Sequence, residues 1–247
     1  MKFGVAVAIS NAEPPADRLA RLERIARAGF DGVELHLADT PDLDSIRVVR
    51  DHLTRFRLEA TVADTAPSSI ATEPHIRGLI DACAVLDAHL LCGLFQFTDD
   101  RLGVAMLAGV AAHAGELGVT LALGGRDDSV DCSARTLGEA CRLVDAVGEP
   151  NLGVLYNTYQ AHVAESSISG AILSAGARLR HVQIAENDNA APGTGQVGWS
   201  ETFAALDAIG YDGWYVIEAR RDEDVEGIAV AGLRFLHSRR RPIPSSA

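Results

Sequence analysis

A single α/β domain closed into a (β/α)8 TIM barrel is what this sequence predicts, on three observations. Short apolar runs alternate with longer amphipathic segments from one end to the other. The runs are almost continuously apolar, the pattern of parallel strands covered on both faces. The length, 247 residues, suits one such barrel and is long for most other single domains.

The elements follow in order. Strands are expected at FGVAVAI (3–9), GVELHL (32–37), EATVAD (59–64), HLLCGLF (89–95), VTLALG (119–124), LGVLYN (152–157), RHVQIAE (180–186) and WYVIEA (214–219). The first helix lies in DRLARLERIARAGF, where Leu19, Leu22, Ile25 and Ala26 share one face and Gly29 stops it. Further helical patterns occupy 43–56, 76–88, 101–118, 136–148, 168–177, 200–210 and 225–238. Gly118, Gly148 and Gly210 each close a helix just before the next strand. Eight alternating units argue for closure. An open doubly wound sheet would want a Gly-rich phosphate turn after an early strand, and the sequence has none. The barrel is expected over 1–238, with 239–247 as a flexible C-terminal tail carrying Arg239, Arg240 and Arg241.

Composition narrows the function. The net charge of -12 argues against a nucleic-acid partner, which would need a basic face. No segment reaches the roughly 20 apolar residues of a membrane span, and the N-terminus lacks a secretory pattern. The four cysteines are scattered and suit buried thiols in a reducing compartment. The expectation is a cytoplasmic protein with a small-molecule substrate, no nucleic acid and no membrane. A homo-oligomer is compatible with it.

The most informative stretch runs from His181 to Glu218: strand, polar Gly/Pro-rich loop, helix, turn, strand. Polar residues at the carboxyl ends of buried strands are how such barrels build active sites. Glu34 with His36, and His181 with Gln183, alternate along their strands and so point into the barrel. Such inward groups either satisfy one another or serve a site, because unpaired burial costs about 1–3 kcal/mol. Glu218 ends the last strand among apolar neighbours and is the leading acid/base candidate. His36, His162 and His181 are candidates for its partner, since histidine titrates near neutral pH. Gln183, Asn157, Gln160, Glu186, Arg126, Glu34, Asp64, Gln96 and Trp199 are candidates for binding substrate.

GFDGVEL (29–35), EPNLGVLYNTYQAH (149–162), HVQIAEN (181–187), APGTGQVGW (191–199) and LDAIGYDGWYVIE (206–218) together resemble the xylose-isomerase-like barrels. Within them the chain is similar to hydroxypyruvate isomerases and the tagatose-3-epimerase group. The HVQIA element favours the hydroxypyruvate isomerases. The resemblance implies one divalent metal at the barrel mouth, held by Glu, Asp, Gln or His, and Glu from strands five to eight. Those positions fall on Gly124, Asn157, Gln183 and Glu218. The substrate-side His falls on Gln160, with His162 two residues later, and a cationic substrate residue falls near Asn189. One carboxylate, two amides and a glycine form a poor cage for a hard cation. Asp127, Asp128 or Glu186 could swing in to rescue it. The expectation is therefore no metal cofactor, with a weakly bound Mn or Mg ion as the alternative.

The expected function is a metal-independent, isomerase-like or epimerase-like proton transfer on a small polar or cyclic hydroxy-carbonyl compound. A dehydratase, lyase or cyclase on the same barrel is the first alternative. A non-catalytic binding or scaffold barrel is the second.

Overall fold

A computed structural model describes residues 1–9, 13–37, 40–65, 72–93, 101–124, 134–188, 190–218 and 225–239. Its strands are β1 (Lys2–Ala8), β2 (Gly32–Leu37), β3 (Glu59–Asp64), β4 (Leu90–Gly93), β5 (Thr120–Leu123), β6 (Leu152–Asn157), β7 (Leu179–Ile184) and β8 (Trp214–Ile217). They are parallel and close in chain order, β8 pairing back onto β1. The predicted barrel is the fold.

The helices are α1 (Pro15–Ala28), α2 (Leu43–Phe56), α3 (Glu73–Leu86), α4 (Arg101–Glu116), α5 (Leu137–Val147), α6 (Thr158–Ala164), α7 (Ile168–Ala175), α8 (Trp199–Ala208) and α9 (Val225–Arg239). One difference from the sequence pattern matters for the site. The segment after β6 holds two helices, because Asn157 caps α6 directly off the strand and Ser167 starts α7 afresh. Elsewhere the local chemistry matches the pattern. α1 buries Leu22 and Ile25 and ends at Gly29, whose φ of 93° needs a residue without Cβ. Thr136 and Glu139 form a reciprocal capping box on α5. α9 runs through Arg239, whose guanidinium lies over the Phe203 and Phe235 rings.

The apolar interior divides in two. The larger part lies between the outer strand faces and the helices and includes Phe3, Val5, Val33, Leu35, Leu79, Leu107 and Tyr215. The smaller part, Ala63, Leu90, Cys92, Ala122 and Leu155, belongs to alternate strand positions and lines the lumen. Glu34, His181 and Gln183 bring polar side chains into the same lumen. Among the described residues, no helix is long and apolar enough to cross a membrane.

Candidate active site at the barrel mouth

Glu34 is the hub of the lumen. It is fully buried, and its partners come from across the barrel. His36 Nε2 lies 2.9 Å from Oε1 and His181 Nε2 lies 2.5 Å from Oε2. Gln183 Nε2 donates to Oε1 at 2.8 Å, and the Cys92 thiol donates to Oε2 at 3.4 Å. β2 and β7 are not neighbours in the sheet, so these bonds span the lumen. Burial by itself would raise the Glu34 pKa, but the two imidazoles outweigh it and hold the carboxyl well below its usual range. An ionised carboxylate only accepts, so both facing ring nitrogens carry hydrogen. Burial, then the charge of Glu34, push the Cys92 thiol well up, so it stays protonated.

A second chain of bonds fixes which way the amides point. Asn157 Oδ1 accepts from the backbone N–H of Tyr159 (3.0 Å) and Gln160 (3.1 Å), capping α6. Those backbone donors cannot reverse, so the Asn157 NH2 must face the lumen. There Nδ2 donates to Gln183 Oε1 at 3.0 Å and to Glu218 Oε2 at 2.9 Å. Gln183 therefore turns its own NH2 toward Glu34. One helix terminus thus orders a path from Glu218 at the mouth to Glu34 within.

The structure brings Glu34, His36, Asn157, His181, Gln183 and Glu218 into this one network. Of these, Asn157, His36 and Glu218 are only half-buried and so reach toward the mouth. Cys92 of β4 joins them, its thiol on Glu34 and beside the Gln183 amide. Gln160 contributes its backbone N–H to the Asn157 cap, and His162 sits half-buried on α6 outside the network. Asp64 ends β3 and bonds the buried His75 of α3 at 3.1 Å, whose Nδ1 meets Thr40 Oγ1 at 3.0 Å. This clasp was not visible in the sequence, because Asp64 and His75 lie on successive elements with no spacing motif. Gln96, Arg126, Asp127, Asp128 and Asn189 lie outside the described residues.

Glu186 and Trp199 serve the loop after β7. Glu186 is buried and accepts from the N–H of Asn187, Gly193 and Val197 and from Trp199 Nε1, at 2.8–3.1 Å. Gly195 passes so close that a Cβ would stand 2.2 Å from Asn187 Oδ1 and 2.7 Å from Glu186 Oε1. Trp199 stacks on Phe203 and meets Phe235 edge-on, which seats α8 against α9. These contacts are spent on loop architecture. Burial pushes the Glu186 pKa up, but the Trp199 and backbone donors win and leave it below the usual range.

A test of that loop follows. A depressed carboxylate contributes stability in full above its unfolded value of about 4.3, and loses it as pH falls through the folded value. Trp199 fluorescence should therefore change in acid before the whole barrel unfolds. Glu186→Gln, which puts an NH2 against N–H donors, should cost about 1–3 kcal/mol at neutral pH and abolish that early acid step. An acid profile unchanged by the substitution would show that Glu186 does not control the loop.

The metal expectation needs correction. At the position the family resemblance implies, the residues do not fit a hard cation. Gly124 has no side chain, and the Asn157 NH2 lies against the Gln183 and Glu218 oxygens that a metal would use. Deeper in the lumen, however, Glu34, Cys92 and His181 present three donor atoms all within 4.8 Å of one another. That donor set points to a metal and overturns the expectation of none.

Comparison with known proteins places this geometry. The family model for the xylose isomerase-like TIM barrel matches residues 22–239. A D-psicose 3-epimerase of Ruminiclostridium cellulolyticum is 28% identical over 244 residues, covering 88% of this chain and 83% of its own. A ketose 3-epimerase of Arthrobacter globiformis is 28% identical over 80% of the chain. The hydroxypyruvate isomerase of Escherichia coli is 29% identical but over only 40% of the chain. The weight that HVQIA placed on hydroxypyruvate isomerases thus shifts toward the ketose epimerases. In fold, the chain superposes on a crystal structure of D-allulose 3-epimerase from Methylomonas sp. with a TM-score of 0.86 at 23% identity, over 97% of this chain and 98% of that one. The expectation of an isomerase-like enzyme stands with these relatives. The family model's match over residues 22–239, on a barrel that closes in chain order, shows that this chain belongs to the xylose isomerase-like TIM barrel family.

Proposed function

We infer that the chain epimerises a ketose at the carbon next to its carbonyl, by removing a proton from one face and returning one to the other. The ketose 3-epimerases that match most of its length support this reading. The observation that carries it is Glu218. This carboxylate ends β8 at the mouth, half-buried, and accepts 2.9 Å from the Asn157 amide, which orients it without neutralising it. A proton next to a carbonyl is acidic enough for a positioned carboxylate to remove.

The second carrier must approach from the other side of the substrate. The family's fifth-strand glutamate would supply it, but Gly124 stands there. His36 is the residue best placed to take the role. It is half-buried at the end of β2, and its Nε2–H is held by Glu34, which fixes the ring. Asn157 and Gln183 would orient substrate oxygens, and Gln160 would join them from α6. A cation held below by Glu34, Cys92 and His181 would supply positive charge that favours an enediolate.

The test is exchange in D2O. Ketohexoses and ketopentoses incubated with the protein should give the 3-epimer with deuterium at C3, seen by NMR. Deuterium at C1 or C2 with aldose formation would instead indicate a hydroxypyruvate isomerase-type shift. Loss of water from the sugar would indicate the dehydratase reading.

A further inference from the structure

We propose that Glu34, Cys92 and His181 form a binding site for a borderline-soft divalent cation of the Zn2+ or Co2+ type, displaced inward from the position where the family resemblance implies a hard metal. The proposal deepens the epimerase reading but does not depend on the reaction, and its test reads the metal directly.

The first observation is the donor set. A thiol sulfur, an imidazole nitrogen and a carboxylate oxygen from β4, β7 and β2 converge within 4.8 Å. Thiolate with imidazole selects Zn2+ or Co2+, whereas Mg2+ and Mn2+ want oxygen. One of the separations is near that of a tetrahedral site. Cys92 Sγ already stands 3.4 Å from Glu34 Oε2, and His181 Nε2, at 2.5 Å, would move outward by about an ångström to admit a cation with bonds of about 2.0–2.3 Å.

The second observation is the enclosure of Glu34. Its carboxyl is fully buried and is shared by two imidazoles, an amide and a thiol from across the barrel, none of them a fixed cation. A divalent cation joined by the Cys92 thiolate and the Glu34 carboxylate leaves the group electrically neutral. The third observation closes the alternative place. The oriented Asn157 NH2 already bonds both oxygens that a mouth metal would share.

Proton accounting is simple. The Cys92 thiol releases its proton to solvent as the sulfur–metal bond forms. The His181 proton passes from Nε2 to Nδ1, a buried nitrogen with no hydrogen-bond partner among the described residues. A water completes four-coordination, and His36 keeps its Nε2–H on Glu34 Oε1 at 2.9 Å.

The experiment uses the whole chain, stripped with chelator and titrated with Co2+, Zn2+, Mn2+ and Mg2+. Native mass spectrometry should show one Zn2+ or Co2+ per chain. The Co2+ form should show a sulfur-to-cobalt charge-transfer band, and X-ray absorption of the Zn2+ form should show one sulfur neighbour. Cys92→Ser should remove the band and weaken Co2+ binding by more than about a hundredfold, beyond the effect of losing a mere supporting group. The absorption measurement needs no substitution, so a poorly folding variant leaves the test intact. Retention of Mn2+ or Mg2+ with oxygen ligands only, or no metal binding at all, would overturn the site. An absent epimerase activity alongside sulfur-bound metal would sink the functional reading and leave the site standing.

Discussion

Glu218→Gln is expected to lose about a hundredfold to ten-thousandfold in kcat, the range a general acid or base contributes, while KM stays close to its original value. The amide keeps the shape and keeps an oxygen for the Asn157 NH2 to bond, so the network should survive. What disappears is a group able to take a proton. His36→Asn is the necessary companion, because it removes the titrating ring while keeping a donor toward Glu34. If His36→Asn abolishes deuterium exchange at C3 but Glu218→Gln does not, the histidine is the base and Glu218 orients the substrate. If neither matters, the acid/base assignment at this mouth is wrong.

Glu34→Ala should be the most destabilising single change in the lumen. It leaves two imidazole N–H groups, the Gln183 amide and the Cys92 thiol facing an empty space. Breaking a buried charged cluster by removing one member costs about 3–5 kcal/mol. For a chain of this size that lowers Tm by roughly 10 °C. Glu59→Ala supplies the contrast. Glu59 pairs with Lys2 on the exposed rim, and such pairs contribute about 1 kcal/mol or less. Equal shifts in Tm for the two variants would mean that the buried network contributes nothing special.

The sequence revealed the barrel because alternation of apolar runs and amphipathic helices is a local pattern, carried by every unit. It revealed Glu34, His36, His181 and Gln183 for the same reason: each pair alternates on one strand. Their mutual contact is different. Glu34 bonds His181 across 147 residues and Cys92 across 58. Only the closure and register of the barrel bring them together, and nothing in the local pattern encodes that. The metal expectation failed on this point. It weighed the family's positions on strands five to eight, while the donors that converge stand on β2, β4 and β7. Asn157 was legible as a strand-end amide, but its role as the cap of α6 fixes its orientation, and that became clear only when α6 was seen to start straight off β6. Glu186 read as a site residue because it ends the predicted seventh strand, and Trp199 because it closes the polar loop after it. Their side chains instead meet each other.

Asn157 has a consequence for how this site can change. Aspartate and asparagine cap helices about equally well, so exchanging one for the other leaves α6 indifferent. At the lumen the same exchange swaps an NH2 for an oxygen and turns a donor that clasps Gln183 and Glu218 into an acceptor that repels the second of them. The fold therefore hides a one-atom toggle. Its two settings have nearly equal folding stability at the helix and opposite electrostatic sign at the mouth. A chain built this way can drift between two chemistries in a single step, with the helix registering nothing.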